Sequence, residues 1–376
     1  MHVTALELVD FRSYAHTQIE FEAGVNVLVG RNGQGKTNVA EAIGYLATLG
    51  SHRVASDQPL VRHGADQAVI RAAVERDGRR LLLEVEILPG KSNRARVNKS
   101  PLPRARELLG VLRAVVFAPE DLSIVRGDPD GRRTFLDQLL VLRTPRFAGV
   151  KADFDRVLRQ RNALLKSAAT TRGSFDTATL AVWNDHLVEL GSELLEGRLQ
   201  LVRDLQEPVS KSYADLAPST GEAAALDYRA SWTETSPLQE LTDRQAIAAA
   251  LADALGAAER DELARGVTLA GPHRDDLVLL LGDHPAKGFA SHGESWSMVL
   301  ALRLASFTLL RSDGDDPVLI LDDVFAELDT SRRDRLAEMV VDAEQVMVTA
   351  AVAADIPTAL SGARFTVDAG QVRREP

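Results

Sequence analysis

Residues 25–37 read VNVLVGRNGQGKT, and the stretch from Gly30 to Thr37 matches the pattern G-x-x-x-x-G-K-[ST] in full. VNVLV has the look of a buried strand. The run TNVAEAIGYLATLG beyond Lys36 places Val39, Ala42, Ile43 and Leu46 at helical spacing. A glycine-rich turn between a strand and a helix is a phosphate cradle, because successive backbone N–H groups must point inward, and Gly30, Gly33 and Gly35 permit that turn. From there the Lys36 amine reaches the β- and γ-phosphates and the Thr37 hydroxyl ligates Mg²⁺. The helix N-terminus adds its partial positive charge.

A phosphate cradle of this kind calls for a carboxylate at the end of a buried strand. VLILDD at 318–323 supplies it, with four apolar residues before Asp322. Asp322 would hold the magnesium directly or through water, and Asp323 stands where a general base for the attacking water is wanted. The expected catalytic set is therefore Lys36, Asp322 and Asp323, with Thr37 and Asp322 on the metal.

Outward from these two motifs, the pattern divides the chain. Residues 1–118 read as strands around one strong helix, with a hairpin at the Asp77-Gly78 turn between AVIRAAVER and RLLLEVEIL. Residues 119–266 are mainly helical, with an apolar stripe of Val150, Phe154, Val157, Leu158, Leu164 and Leu165. A longer helix is expected from about Leu180 to Tyr213, then an interruption at 217–237 and a helix capped by Asp243. Strand signals return in 267–376 at VTLAG, DLVLLL, PVLILDD and QVMVTA, with helices over SWSMVLALRLASFTLL and SRRDRLAEMVVDA. The fold class is α/β, one nucleotide-binding lobe interrupted by an inserted, mainly helical lobe. No heptad pattern persists long enough for an extended coiled-coil arm.

The 376 residues carry a formal net charge of −10 and no cysteine, so disulfides, thiolate metal sites and thiol nucleophiles are excluded. No apolar run approaches the roughly 20 residues of a membrane span, and no signal peptide is expected, which points to a cytoplasmic protein. Nucleic-acid contact in so acidic a chain must use local patches. Residues 91–106, KSNRARVNKSPLPRAR, hold six basic residues and no acidic one, and residues 126–166 hold ten basic against five acidic. Arg and Lys without interleaved aromatics suit the backbone of double-stranded DNA, read without sequence preference. Lys91, Arg94, Arg96 and Lys99 are the expected DNA contacts. His52, His63, His273 and His292 lack metal-ligand spacing, and His273 reads as part of a structural turn.

The P-loop, SHGES at 291–295 and LDDVFAELD at 321–329 together resemble the ATP-binding-cassette ATPases of the SMC type, and within them a bacterial DNA replication and repair branch. LELVDFRSY at 6–14, APEDLSIVRGDPDGRRTFLD at 118–137, GPHRDDL at 271–277 and VTAA at 348–351 extend the resemblance over nearly the whole chain. It implies that Gly30, Arg31, Asn32, Gly33, Gln34, Gly35, Lys36 and Thr37 bind ATP with Mg²⁺, and that Arg12 also contacts the nucleotide. Ser291, Gly293 and Glu294 would form the signature loop, and Asp329 the aspartate that follows Asp322 by seven positions. The signature loop of one copy would meet the γ-phosphate on another, giving an ATP-dependent homodimer. A role in recombinational repair at gaps is implied as well, with RecR and RecO as partners in loading RecA.

Three departures from the wider pattern point to slow hydrolysis serving as a switch. Asp323 stands where a glutamate is usual, Thr349-Ala350 where transporters place a histidine, and Pro119-Glu120-Asp121 where a glutamine loop belongs. The alternatives are an SMC-like structural organiser of DNA and a P-loop small-molecule kinase.

Overall fold

The structure is a computed structural model that describes residues 1–170, 177–218, 221–230, 232, 243–314 and 316–376. In chain order, strands β1 (His2–Phe11), β2 (Tyr14–Glu20) and β3 (Gly24–Val29) lead into helix α1 (Lys36–Thr48). Next come β4 (Ala68–Arg76), β5 (Arg79–Ile87), β6 (Arg94–Val97), β7 (Ser100–Pro101) and β8 (Ala114–Phe117). Helices α2 (Leu122–Arg126), α3 (Pro129–Arg143), α4 (Phe147–Thr170) and α5 (Thr177–Leu216) follow, then β9 (Ala224–Arg229) and α6 (Arg244–Arg265). Beyond them lie β10 (Asp276–Leu281), β11 (His284–Pro285), α7 (Ala286–Phe289) and α8 (His292–Ser312). The last elements are β12 (Val318–Asp322), α9 (Thr330–Val340), β13 (Gln345–Ala350), β14 (Ala363–Asp368) and β15 (Gln371–Arg374).

Two compact units result. The first comprises Met1–Ser123, Pro208–Ala223 and Ala290–Pro376, and the second Ile124–Glu207 and Ala224–Phe289.

The first unit holds two six-stranded sheets. One has the order β15-β14-β3-β13-β12-β8, parallel except for β15. Every residue of β12 and β13 is buried, as a parallel strand covered on both faces requires. That is why VLILD reads as an unbroken apolar run. The other sheet is antiparallel, order β2-β1-β4-β5-β6-β7. Its β4–β5 hairpin turns at Asp77 and Gly78, with φ of 51° and 69°, so Asp-Gly adopts the left-handed pair that a two-residue hairpin demands.

The second unit packs α3 to α6 with a small sheet, β11-β10-β9. Its core takes Phe135, Leu139, Phe154, Leu165, Leu187, Leu194 and Leu251. Buried charged side chains there are matched to partners. Arg161 and Glu262, both fully buried, pair at 2.6 Å, while Arg161 also donates to Asn184 Oδ1 and Thr268 Oγ1. Arg198 grips Asp137 through two bonds of 2.8 and 2.9 Å and donates to the Pro272 carbonyl.

Two local expectations are corrected. VTLAG at 267–271 is not a strand. Gly266 closes α6 in the left-handed region, and the N–H groups of Thr268 and Leu269 bond the side chains of Asn162 and Glu262, so no ladder can form. The interruption at 217–237 contains β9, whose buried Ala224, Leu226 and Tyr228 pair with β10; its residues 219, 220, 231 and 233–237 lie outside the described residues. Among the described residues no helix is long and apolar enough to cross a membrane.

Candidate functional site

In a parallel sheet, ligands gather where the strands end at their carboxyl edge. Strands β3, β13 and β12 are neighbours, with Ala350 opposite Val29 and Thr349 opposite Asp322. One edge of the first unit thus presents the P-loop, Thr349 and the two aspartates side by side.

Close packing fixes the P-loop. A Cβ on Gly30 would lie 2.2 Å from the Val367 carbonyl oxygen, and one on Gly35, whose φ is 115°, 2.7 Å from the Tyr14 hydroxyl. Tyr14 donates to the Gly35 carbonyl at 3.0 Å, and the Gln34 side chain accepts from Ala369 N at 2.7 Å. Gly35 has no side chain to cap α1; its carbonyl accepts from Asn38 N at 3.0 Å, while the N–H groups of Lys36 and Thr37 are left for another acceptor. Lys36 is 3% exposed, yet its amine reaches only the Arg31 carbonyl, at 3.4 Å, and it forms no ion pair among the described residues. A buried cation so weakly matched fits an anionic ligand.

Asp322, 1% exposed, is held by two hydroxyls on one oxygen: Thr37 Oγ1 at 3.0 Å and Thr349 Oγ1 at 2.6 Å, both to Oδ1. The Thr349 hydroxyl in turn accepts from Asp323 N at 2.9 Å. Asp323 sits at φ 51°, a strained setting for a non-glycine residue. Burial raises its carboxyl above the usual aspartate range, opposed by Lys36 and reinforced by the neighbouring Asp322.

A second cluster joins the signature loop to the loop after β12. Ser291 caps α8, its Oγ accepting from Glu294 N at 3.3 Å, while the Glu294 carboxylate accepts from Ser291 N at 2.8 Å. That reciprocal pair holds the Glu294 carboxyl below its ordinary value. Asp329 caps α9 and accepts from Arg332 N at 3.1 Å, which depresses its carboxyl likewise. The Arg332 guanidinium pairs with Asp329, donates to Ser297 Oγ at 2.9 Å and lies 3.2 Å from where a Cβ on Gly293 would be. Sequence reasoning missed Arg332.

Arg12 is tied to α1, the helix that follows the phosphate cradle. Its guanidinium clasps the buried Glu41 of α1, with Nε donating at 2.7 Å, and reaches the Pro59 carbonyl at 2.9 Å.

The basic segments take two forms. Lys91 and Lys99 are exposed in turns, whereas Arg94 pairs with Glu86 at 3.6 Å and Arg96 pairs with Glu84 and, at 2.9 Å, with Glu86. Arg96 ends a row of alternating charge across β1, β4, β5 and β6: Glu7, Arg71, Glu84, Arg96. In 126–166 much of the excess is internal. Arg132, Arg143, Arg146, Lys151, Arg156 and Arg161 all form ion pairs within the second unit. Segments 118–137 and 271–277 also meet there, as Arg132 grips Asp276 and Arg133 donates to the Asp275 carbonyl. His273 lies in the turn, with Nε2 3.3 Å from the Thr268 carbonyl.

Comparison with known proteins gives a consistent set of relatives. The family described as RecF/RecN/SMC N terminal domain matches residues 2–366. The DNA replication and repair protein RecF of Streptomyces avermitilis is 57% identical over 378 residues, covering 100% of both chains. Its namesake in Nocardioides sp. is 54% identical over 423 residues, again with 100% of both covered. A solved structure of the recombination mediator protein RecF-ATP in the RecFOR pathway matches at a TM-score of 0.90 and 26% identity, covering 100% of this chain and 98% of that one.

Proposed function

The chain belongs to the RecF family, and we propose on that footing that it is an ATP-binding protein of DNA replication and repair, working in the cytoplasm. The observation that carries the reading is the shared grip of Thr37 and Thr349 on one oxygen of Asp322, beside a buried and weakly matched Lys36. The Lys36 amine and the N–H groups of Lys36 and Thr37 would take the phosphates, and Thr37 with Asp322 would hold Mg²⁺. When bound, the metal ion neutralises charge on the transferring phosphoryl oxygens. Asp323, made more basic by burial, takes the proton of the attacking water.

The signature loop supports a pairing of two copies. Ser291 Oγ accepts from Glu294 N, which leaves its O–H free to donate to an anion brought by a second copy, beside the N-terminus of the 21-residue α8. ATP is then a slow switch that closes a homodimer on double-stranded DNA, and hydrolysis releases it. RecR and RecO are the partners this reading implies, with RecA loading as the outcome.

Sedimentation of wild type and Lys36→Arg, with ATP, ADP or no nucleotide, and with or without a short duplex, tests the reading. Wild type should pair with ATP alone, more fully on DNA, and Lys36→Arg should stay single throughout. Equal pairing of nucleotide-free wild type would overturn it, as would pairing unaffected by Ser291→Arg.

A further inference from the structure

The loop after α1 brings a side chain to this site that the nucleotide reading does not use. His52 is 14% exposed, and its Nε2 is shielded from solvent with no hydrogen-bond partner among the described residues. That nitrogen lies 3.8 Å from Asp322 Oδ2, too far for a direct hydrogen bond. The other Asp322 oxygen is the one taken by Thr37 and Thr349. A shielded ring nitrogen facing the open oxygen of the Asp322 carboxylate is a costly arrangement unless something sits there when the site is filled.

The loop is built to hold His52 in place. Leu49 closes α1 in the left-handed region at φ 52°. Ser51 donates to the buried Glu41, and the same hydroxyl accepts from Arg53 N at 2.9 Å and Val54 N at 3.1 Å. Glu41 is anchored in turn by Arg12 and Arg53. The turn carrying His52 is therefore fixed to α1, the helix that also carries Lys36 and Thr37.

We infer that His52 is a positioning residue of the nucleotide site, its Nε2 accepting a hydrogen bond from a magnesium-bound water on the open side of Asp322. The inference rests on the nucleotide reading above. Outer partners of this kind set metal affinity by about 10–100-fold. His52 also gives the site an acceptor that Pro119-Glu120-Asp121 does not provide as an amide.

The test measures the affinity of a fluorescent, non-hydrolysable ATP analogue in EDTA and across a Mg²⁺ titration. Wild type, His52→Ala, His52→Gln, His52→Leu and Lys36→Ala are compared. His52→Ala should lose about tenfold of the tightening that Mg²⁺ brings, with affinity in EDTA unchanged, and His52→Gln should restore most of it through its amide oxygen. His52→Leu fills the space without an acceptor and gives the same readout should the alanine variant fail to fold. A full magnesium effect in His52→Ala or His52→Leu overturns the inference, as does an equal loss in EDTA. If wild type and Lys36→Ala bind the analogue alike, the nucleotide reading itself falls instead.

Discussion

Thr349 Oγ1 donates to Asp322 Oδ1 at 2.6 Å and accepts from Asp323 N at 2.9 Å, so one hydroxyl on β13 fixes both aspartates at the end of β12. The two residues face each other in the parallel register, and β13 is the strand that separates β12 from the P-loop strand β3. Thr349→Val keeps the shape and removes both bonds. It should cost about 1–3 kcal/mol in urea unfolding, because Asp323 N loses its buried acceptor, while Thr349→Ser should lose much less.

Asp323→Asn should cut single-turnover hydrolysis by about 10²–10⁴-fold with ATP affinity within threefold of wild type. Burial raises the Asp323 carboxyl, so in wild type the base is lost to protonation at higher pH than an ordinary aspartate allows. The acid limb of the turnover profile should therefore lie at higher pH than an ordinary aspartate base would give.

Arg332 ties Asp329 to Ser297 behind the signature loop. Arg332→Ala should weaken ATP-dependent pairing at least tenfold by sedimentation, a loss of about 1.4 kcal/mol. Binding of ATP to the single chain should stay unchanged. Equal weakening of both would place Arg332 in general stability.

On DNA, the exposed Lys91 and Lys99 should matter more than Arg96, whose charge is matched by Glu84 and Glu86. Lys91→Ala with Lys99→Ala should flatten the salt dependence of duplex binding by about 1.8 in log–log slope, at about 0.9 per phosphate contact. Arg96→Ala alone should leave the slope unchanged, with Glu84 still paired to Arg71 and Glu86 to Arg94.

His273 supplies a pH dependence of stability. Burial chiefly, with Arg274, Arg133 and Arg161 nearby and the Thr268 carbonyl opposing, lowers its pKa to about 4 from 6.5. The unfolded chain then binds a proton between those values that the folded chain does not, so stability falls as pH drops from 6.5 towards 4, by up to ~1.4 kcal/mol per pH unit. His273→Gln should flatten that part of the unfolding curve against pH.

The α/β class, the P-loop and the all-apolar strand before Asp322 were legible because each is written in contiguous residues: glycines for a turn, period 3.6 for α1, an unbroken apolar run for a strand covered on both faces. Strand β9 was harder to read. Its alternation over Ala224, Leu226 and Tyr228 is short and sits amid Ser, Thr and Pro. VTLAG misled for the opposite reason, since its apolar letters lie where side chains of Asn162 and Glu262 take the backbone donors. The positive segment 126–166 counts its charges correctly, yet composition does not reveal that Asp204, Glu193 and Glu262 arrive from later helices to match them.

The chain of letters alone determined where the phosphate cradle lies, because its glycines and the strand and helix that flank it are contiguous in sequence. Tertiary structure decided what meets it. Thr37 and Asp322 are 285 positions apart, and only the strand order β3-β13-β12 and its register bring them, Thr349 and the loop of His52 to one carboxylate. Register between distant strands is set by the burial of whole sheet faces, and no local pattern encodes it.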